Sequence, residues 1–76
     1  MSETPAYYGA ELLRAENDLR HFRNNASAFA LRAELATTDS ARQDALGSRQ
    51  YWANRAHCQE AVVRHLSEML QQSERP

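Results

Sequence analysis

Across residues 12 to 36 the sequence admits one kind of local structure. Leu12, Ala15, Leu19, Phe22, Ala26, Phe29, Ala33 and Ala36 follow one another at alternating intervals of three and four residues without a miss. That alternation keeps returning to one face of an α-helix, whereas a strand, with its period of two, scatters the same residues over both of its faces. The stretch therefore predicts one long helix packed along its whole length. Thr4 before Pro5 marks its start, with threonine as N-cap and proline at the first helical position, where a missing N–H is no loss. Gly9 weakens the first turns, so residues 5 to 10 are expected to fray.

The stripe stops at "ATTDSARQ", where Thr37, Thr38 and Asp39 favour caps and turns. Ser40 with Gln43 fits a capping box, and Asp39 or Thr38 are the alternative caps. A second helix accordingly begins near residue 40. It carries Ala41, Ala45, Trp52, Ala56, Val63, Leu66 and Leu70 on one side, with Gln59 in the middle of the stripe. Gly47 and Ser48 mark a place for a kink or for close approach of the helices. Folding the chain about residues 38 and 39 sets Ala26 opposite Trp52, Phe29 opposite Ser48, Phe22 opposite Ala56 and Leu12 opposite Leu66. Large meets small at most levels, so the two helices can interdigitate without voids. The expected fold is all-α: one domain over residues 1–76, an antiparallel two-helix hairpin of about 5–36 and 40–72. Each helix is on the order of 50 Å long, and the core seam is formed by Leu12, Leu19, Phe22, Phe29, Trp52, Val63, Leu66 and Leu70.

A chain of 76 residues with one cysteine cannot staple itself with an internal disulfide, and its Cys and His residues lack structural-zinc spacing. Stability is expected instead from self-association or a bound partner. The sequence offers a surface for it. Tyr51, Cys58, Val62 and Met69 form a second apolar strip about a quarter turn from the seam, with Arg55 beside them. A two-helix protein has nothing of its own to cover that strip, which predicts an interface and assembly of hairpins into a larger helical bundle. The alternative is a widened core in which Val62 and Met69 pack against the first helix. Nine basic residues, all arginine, balance ten acidic ones, so the chain lacks the electrostatic footprint of a DNA-binding or membrane-surface protein. Neither end carries an apolar run of signal or membrane-spanning length. With the lone thiol, this leads to the expectation of a soluble cytoplasmic protein.

Residues 50 to 66, "QYWANRAHCQEAVVRHL", concentrate reactive side chains, yet they sort by face. Trp52, Ala56 and Val63 point to the seam, Tyr51, Cys58 and Val62 to the flank, and His57, Glu60 and Arg64 outward. Cys58 and His65 are about 10.5 Å apart along the axis, too far for a nucleophile and its base. His57 and Glu60 make two metal ligands without a third. No catalytic residue, metal or cofactor is therefore expected. One polar constellation remains. "DLRHFRNN" places Arg20 and Arg23 at the hairpin level of Arg55 and Gln59, a candidate anion-binding cluster of Arg20, Arg23 and Arg55. Its alternative is a solvated arginine face balanced by Glu16 and Asp18.

"NRAHCQEAVVRHL", residues 54–66, resembles the second helix of small helical-hairpin proteins that phages use against bacterial immunity by sequestering cyclic-nucleotide or ADP-ribose-type signals. Members of that family assemble into oligomers and hold ligands between protomers with arginine, lysine and aromatic side chains. The resemblance implies such a role for Arg55 and Tyr51. In size and hairpin shape the chain equally resembles small secretion chaperones and phage proteins that block a host regulator. The expected function is a non-enzymatic, oligomeric helical-hairpin interaction protein acting by stoichiometric binding to a partner protein, as inhibitor, adaptor or small chaperone. The alternative is a sequestering protein for an anionic cyclic-nucleotide-type signal in anti-phage immunity.

Overall fold

The computed structural model of the protein describes residues 4–75. Two helices account for nearly all of them: α1, Thr4–Leu35, and α2, Asp39–Glu74. Only Ala36, Thr37 and Thr38 lie between them, a connection so short that the second helix must run back along the first. The antiparallel hairpin expected from the periodicity is the fold observed, and α2 runs two residues further than its expected end. The hairpin measures 59 × 14 × 12 Å. None of its helices is long and apolar enough to cross a membrane.

The turn closes two residues earlier than a capping box at Ser40 requires. Thr38 has extended backbone angles, φ −126° and ψ 155°, and its Oγ1 accepts a hydrogen bond from the Ala41 N–H at 3.1 Å. Thr38 is thus the N-cap of α2, and Ser40 lies inside the first turn, where its side chain cannot take that role. Asp39 sits at the positive end of the helix dipole and accepts from Arg42 Nη1 at 3.2 Å. At the other end of the hairpin α1 is helical from Thr4 and continues through Gly9 without interruption. The capping expected of the Thr4 side chain lies outside the described residues. Nor does α2 break at Gly47 and Ser48. Neither glycine has a positive φ, and a Cβ at Gly47 would meet nothing within 4 Å. Gly47 is therefore not a point of close helix approach.

The core differs in kind from the expected seam. Its buried residues are Ala15, Leu19, Ala33, Ala45 and Ala56. Leu12, Phe22, Phe29, Trp52, Val63, Leu66 and Leu70 are only half-buried, so of the eight large seam residues Leu19 alone is enclosed. The reason is geometric. With methyl groups at the line of contact, two helices come close together, and a larger side chain then projects into the flanking groove instead of between the backbones. Side chains of the two helices meet across the seam: the Phe22 ring lies 5.7 Å from that of Trp52, Arg55 stacks over Phe22, and Arg23 reaches Glu60. Gln59, the polar interruption of the second stripe, has its own explanation. Its Nε2 donates to the Ala15 carbonyl at 3.1 Å, which an alanine leaves accessible to a side chain from the other helix.

Two substitutions separate these effects. Gly47→Ala should stabilise the hairpin by about 1 kcal/mol, because it removes a helix-weakening residue from open space. Ala56→Leu should destabilise it by about 1–3 kcal/mol, because the added carbons must fit where the helices touch. Circular dichroism melts of the two variants check both signs, and a lowered midpoint for Gly47→Ala would place another chain against that residue.

Candidate functional site

Helix α2 turns one long face toward the groove beside the seam, and it carries the apolar strip. Tyr51 and Val62 are 53% and 44% exposed, Cys58 is exposed, and Met69 is half-buried. At the upper end of this strip the aromatic residues of both helices gather around one arginine. Tyr51 meets Trp52 edge to face with centroids 5.1 Å apart, and the His21 ring meets Trp52 at 6.0 Å. The Arg55 guanidinium carbon lies 4.8 Å above the Phe22 ring, 5.7 Å from that of Tyr51 and 5.8 Å from that of Trp52. Its Nη1 donates to the Tyr51 hydroxyl at 3.0 Å, one helical turn back.

This arrangement follows from local spacing. Tyr51 and Arg55 are four apart on α2 and share a face, and Phe22 meets them from α1 across the hairpin. A guanidinium suits the position because it is planar, weakly hydrated and attracted to the faces of the rings. Together with Asp18, Cys58 and Gln59 these residues line an open cleft of about 440 Å³. Arg55 enters no ion pair among the described residues. Asp18 also lines the cleft, and its negative charge makes the cleft less welcoming to an anion.

The three arginines grouped by the sequence do not converge within one chain. Arg20 and Arg23 line a different, smaller cleft of about 300 Å³ with Glu16, Leu19 and Val63. There Arg23 Nη2 pairs with Glu60 Oε1 at 3.5 Å, and Arg20 Nη1 donates to Asn17 Oδ1 at 3.3 Å. Equal height along a hairpin is not the same as equal side. Relative to the line through Ala15, Leu19 and Ala33, Arg20 and Arg23 rotate one way, while Arg55 rotates to the opposite flank on its own helix. The seam therefore stands between them. Arg23, more than half exposed and ion-paired, fits the solvated-face alternative.

Periodicity also passed over a set of exposed apolar residues. Leu13, Leu31 and Leu35 are 62%, 55% and 70% exposed, and Leu46 is 36% exposed. The available signal was their place off the main stripe: Leu31 and Leu35 are one turn apart, with Leu13 on the same outer face of α1. Among the described residues, no three His, Cys, Asp or Glu side chains gather as metal ligands would. Compared with known proteins, the chain matches no family model, no curated protein and no solved structure.

The arginine nest has a direct optical readout, because Trp52 is the only tryptophan. Arg55→Ala should shift Trp52 emission and destabilise the hairpin by about 0.5–1 kcal/mol. Arg55→Lys should not restore the emission, since an ammonium cannot stack as a plane. Fluorescence and thermal melts of the two variants make the comparison, and recovery with lysine would mean that charge alone matters at this position.

Proposed function

We propose that this chain is a non-enzymatic, self-associating helical-hairpin protein of the cytoplasm that acts by stoichiometric binding to a partner protein, as an inhibitor, adaptor or small chaperone. The observation that carries this proposal is the exposed strip of Tyr51, Cys58 and Val62 on a hairpin whose enclosed residues are four alanines and one leucine. A contiguous apolar face of this kind is the usual mark of an interface. A core of methyl groups removes little surface from water, and a further chain packed on α2 would supply the burial that the hairpin lacks. The outward Leu31 and Leu35 extend the apolar surface to a second side of the protein, as an assembly with more than one contact requires.

A second function draws on one observation. Among the described residues Arg55 enters no ion pair, and it is held beside three aromatic rings, which suits an anionic ligand with a flat group, such as a cyclic-nucleotide-type signal. Asp18 in the same cleft and the separation of Arg20 and Arg23 from it weigh toward the protein partner.

Val62→Glu, which puts a charge into the strip without touching the seam, should lower the mass measured by light scattering while the helical circular dichroism signal stays intact. Thermal shifts with a panel of cyclic di- and trinucleotides separate the two functions, because a ligand specific for the folded state raises the midpoint by mass action. The protein-partner proposal expects no shift. A midpoint rise that disappears in Arg55→Ala and weakens with added salt would favour sequestration.

A further inference from the structure

We infer that the first occupant of the α2 face is a second copy of this chain, packed antiparallel with α2 against α2 about a twofold axis near the level of Glu60. This rests on the interaction function proposed above and specifies the geometry of self-association. Tyr51, Arg55, Cys58, Val62, His65 and Met69 alternate four and three residues apart, a complete a/d stripe distinct from the seam. Within it the apolar members, Tyr51, Cys58, Val62 and Met69, are separated by seven, four and seven residues. That order reads the same in both directions. Turning a copy end for end therefore sets Tyr51 opposite Met69 of the other chain and Cys58 opposite Val62, each pair occurring twice, as a twofold interface demands. Aromatic meets thioether and small meets β-branched.

Arg55 falls opposite His65 of the copy, and its guanidinium is engaged within its own chain, over the Phe22 ring and on the Tyr51 hydroxyl. The alternative twofold, with α2 against α1 of the copy, would set the apolar strip on Glu11, Arg14, Asp18 and Asn25 and strip their charges of water. The α2-on-α2 arrangement instead lays α1 beside α1. There Arg14 comes within about 3 Å of the level of Asp18 of the copy, so opposite charges face each other.

The surface area agrees with one such interface per chain. The hairpin exposes 5765 Å². A compact monomer of 8.7 kDa exposes about 4,700 Å², so this one carries an excess of about 1,000 Å². A standard-size interface covers about 800 Å² on each partner.

Cysteine crosslinking tests the arrangement. In a Cys58→Ser background, Tyr51→Cys and Met69→Cys together should give disulfide-linked dimers under mild oxidation. Linkage should be faster by more than about tenfold than with either substitution alone. Within one helix the two positions are about 27 Å apart, so any bond between them joins two chains. Should those substitutions weaken the interface, the wild-type chain still reports on it: Cys58 and its copy stand about 10 Å apart between Cα atoms, within reach of a short bis-maleimide. Efficient linkage in both experiments supports the antiparallel pair. Single variants that link as fast as the double one overturn the register. Light scattering that shows a dimer, with no linkage at either place, overturns the face. A wild-type monomer at about a hundred micromolar overturns the second copy as occupant and leaves the face to a different protein, so the two failures are told apart.

Discussion

The close approach of α1 and α2 along Ala15, Ala33, Ala45 and Ala56 governs where every larger side chain of this hairpin can go. A methyl group at the contact brings two backbones together, and bulk is then displaced sideways. Phe22, Trp52 and Leu66 consequently pack beside the seam, half in water, instead of within it. The same closeness exposes the Ala15 carbonyl to Gln59, which turns a polar residue inside an apolar stripe into a bond between helices. Stability is the quantity that suffers. A buried methyl contributes only on the order of 1 kcal/mol, and a radius of gyration of 17.2 Å places this chain far from the compact value of about 11 Å for its length. Such a protein has surface to spare for another chain.

What the two flanks offer to that chain is different. One is polar, with Arg23 paired to Glu60 across the helices and Arg20 bonded to Asn17. The other joins an apolar strip to an arginine held by aromatic rings, with no ion pair among the described residues. An interface built there can bury Tyr51 and Val62 without stripping water from an ion pair, because the Arg55 charge already rests on rings and on the Tyr51 hydroxyl. Electrostatics thus select between the two flanks. Energetics favour the apolar one for a protein, and the Asp18 charge limits its use by an anion.

The helices, the turn and their antiparallel course were legible in the sequence because each is written in short-range spacing: a stripe of three and four, a cluster of cap formers, and a second stripe. The N-cap moved from Ser40 to Thr38 because several neighbouring residues could cap, and backbone angles at a three-residue turn chose among them. The strip on α2 was legible for the same reason as the helices, since its members lie on one element. The arginine cluster was not. Its members sit on two helices, and their convergence depends on the side of the seam to which each points.

By itself, then, the sequence determined what one helix can record: helical periodicity, the place where the chain reverses, and a second apolar stripe at Tyr51, Cys58, Val62 and Met69. Only the tertiary structure decided which residues are enclosed, that alanines rather than Phe22 or Trp52 form the contact line, and that Arg55 joins an aromatic nest while Arg20 and Arg23 lie across the seam. The physical reason is that periodicity assigns each side chain an angle about its own helix axis. How close two axes come, and which way each is rolled against the other, is set by the bulk of both faces at once.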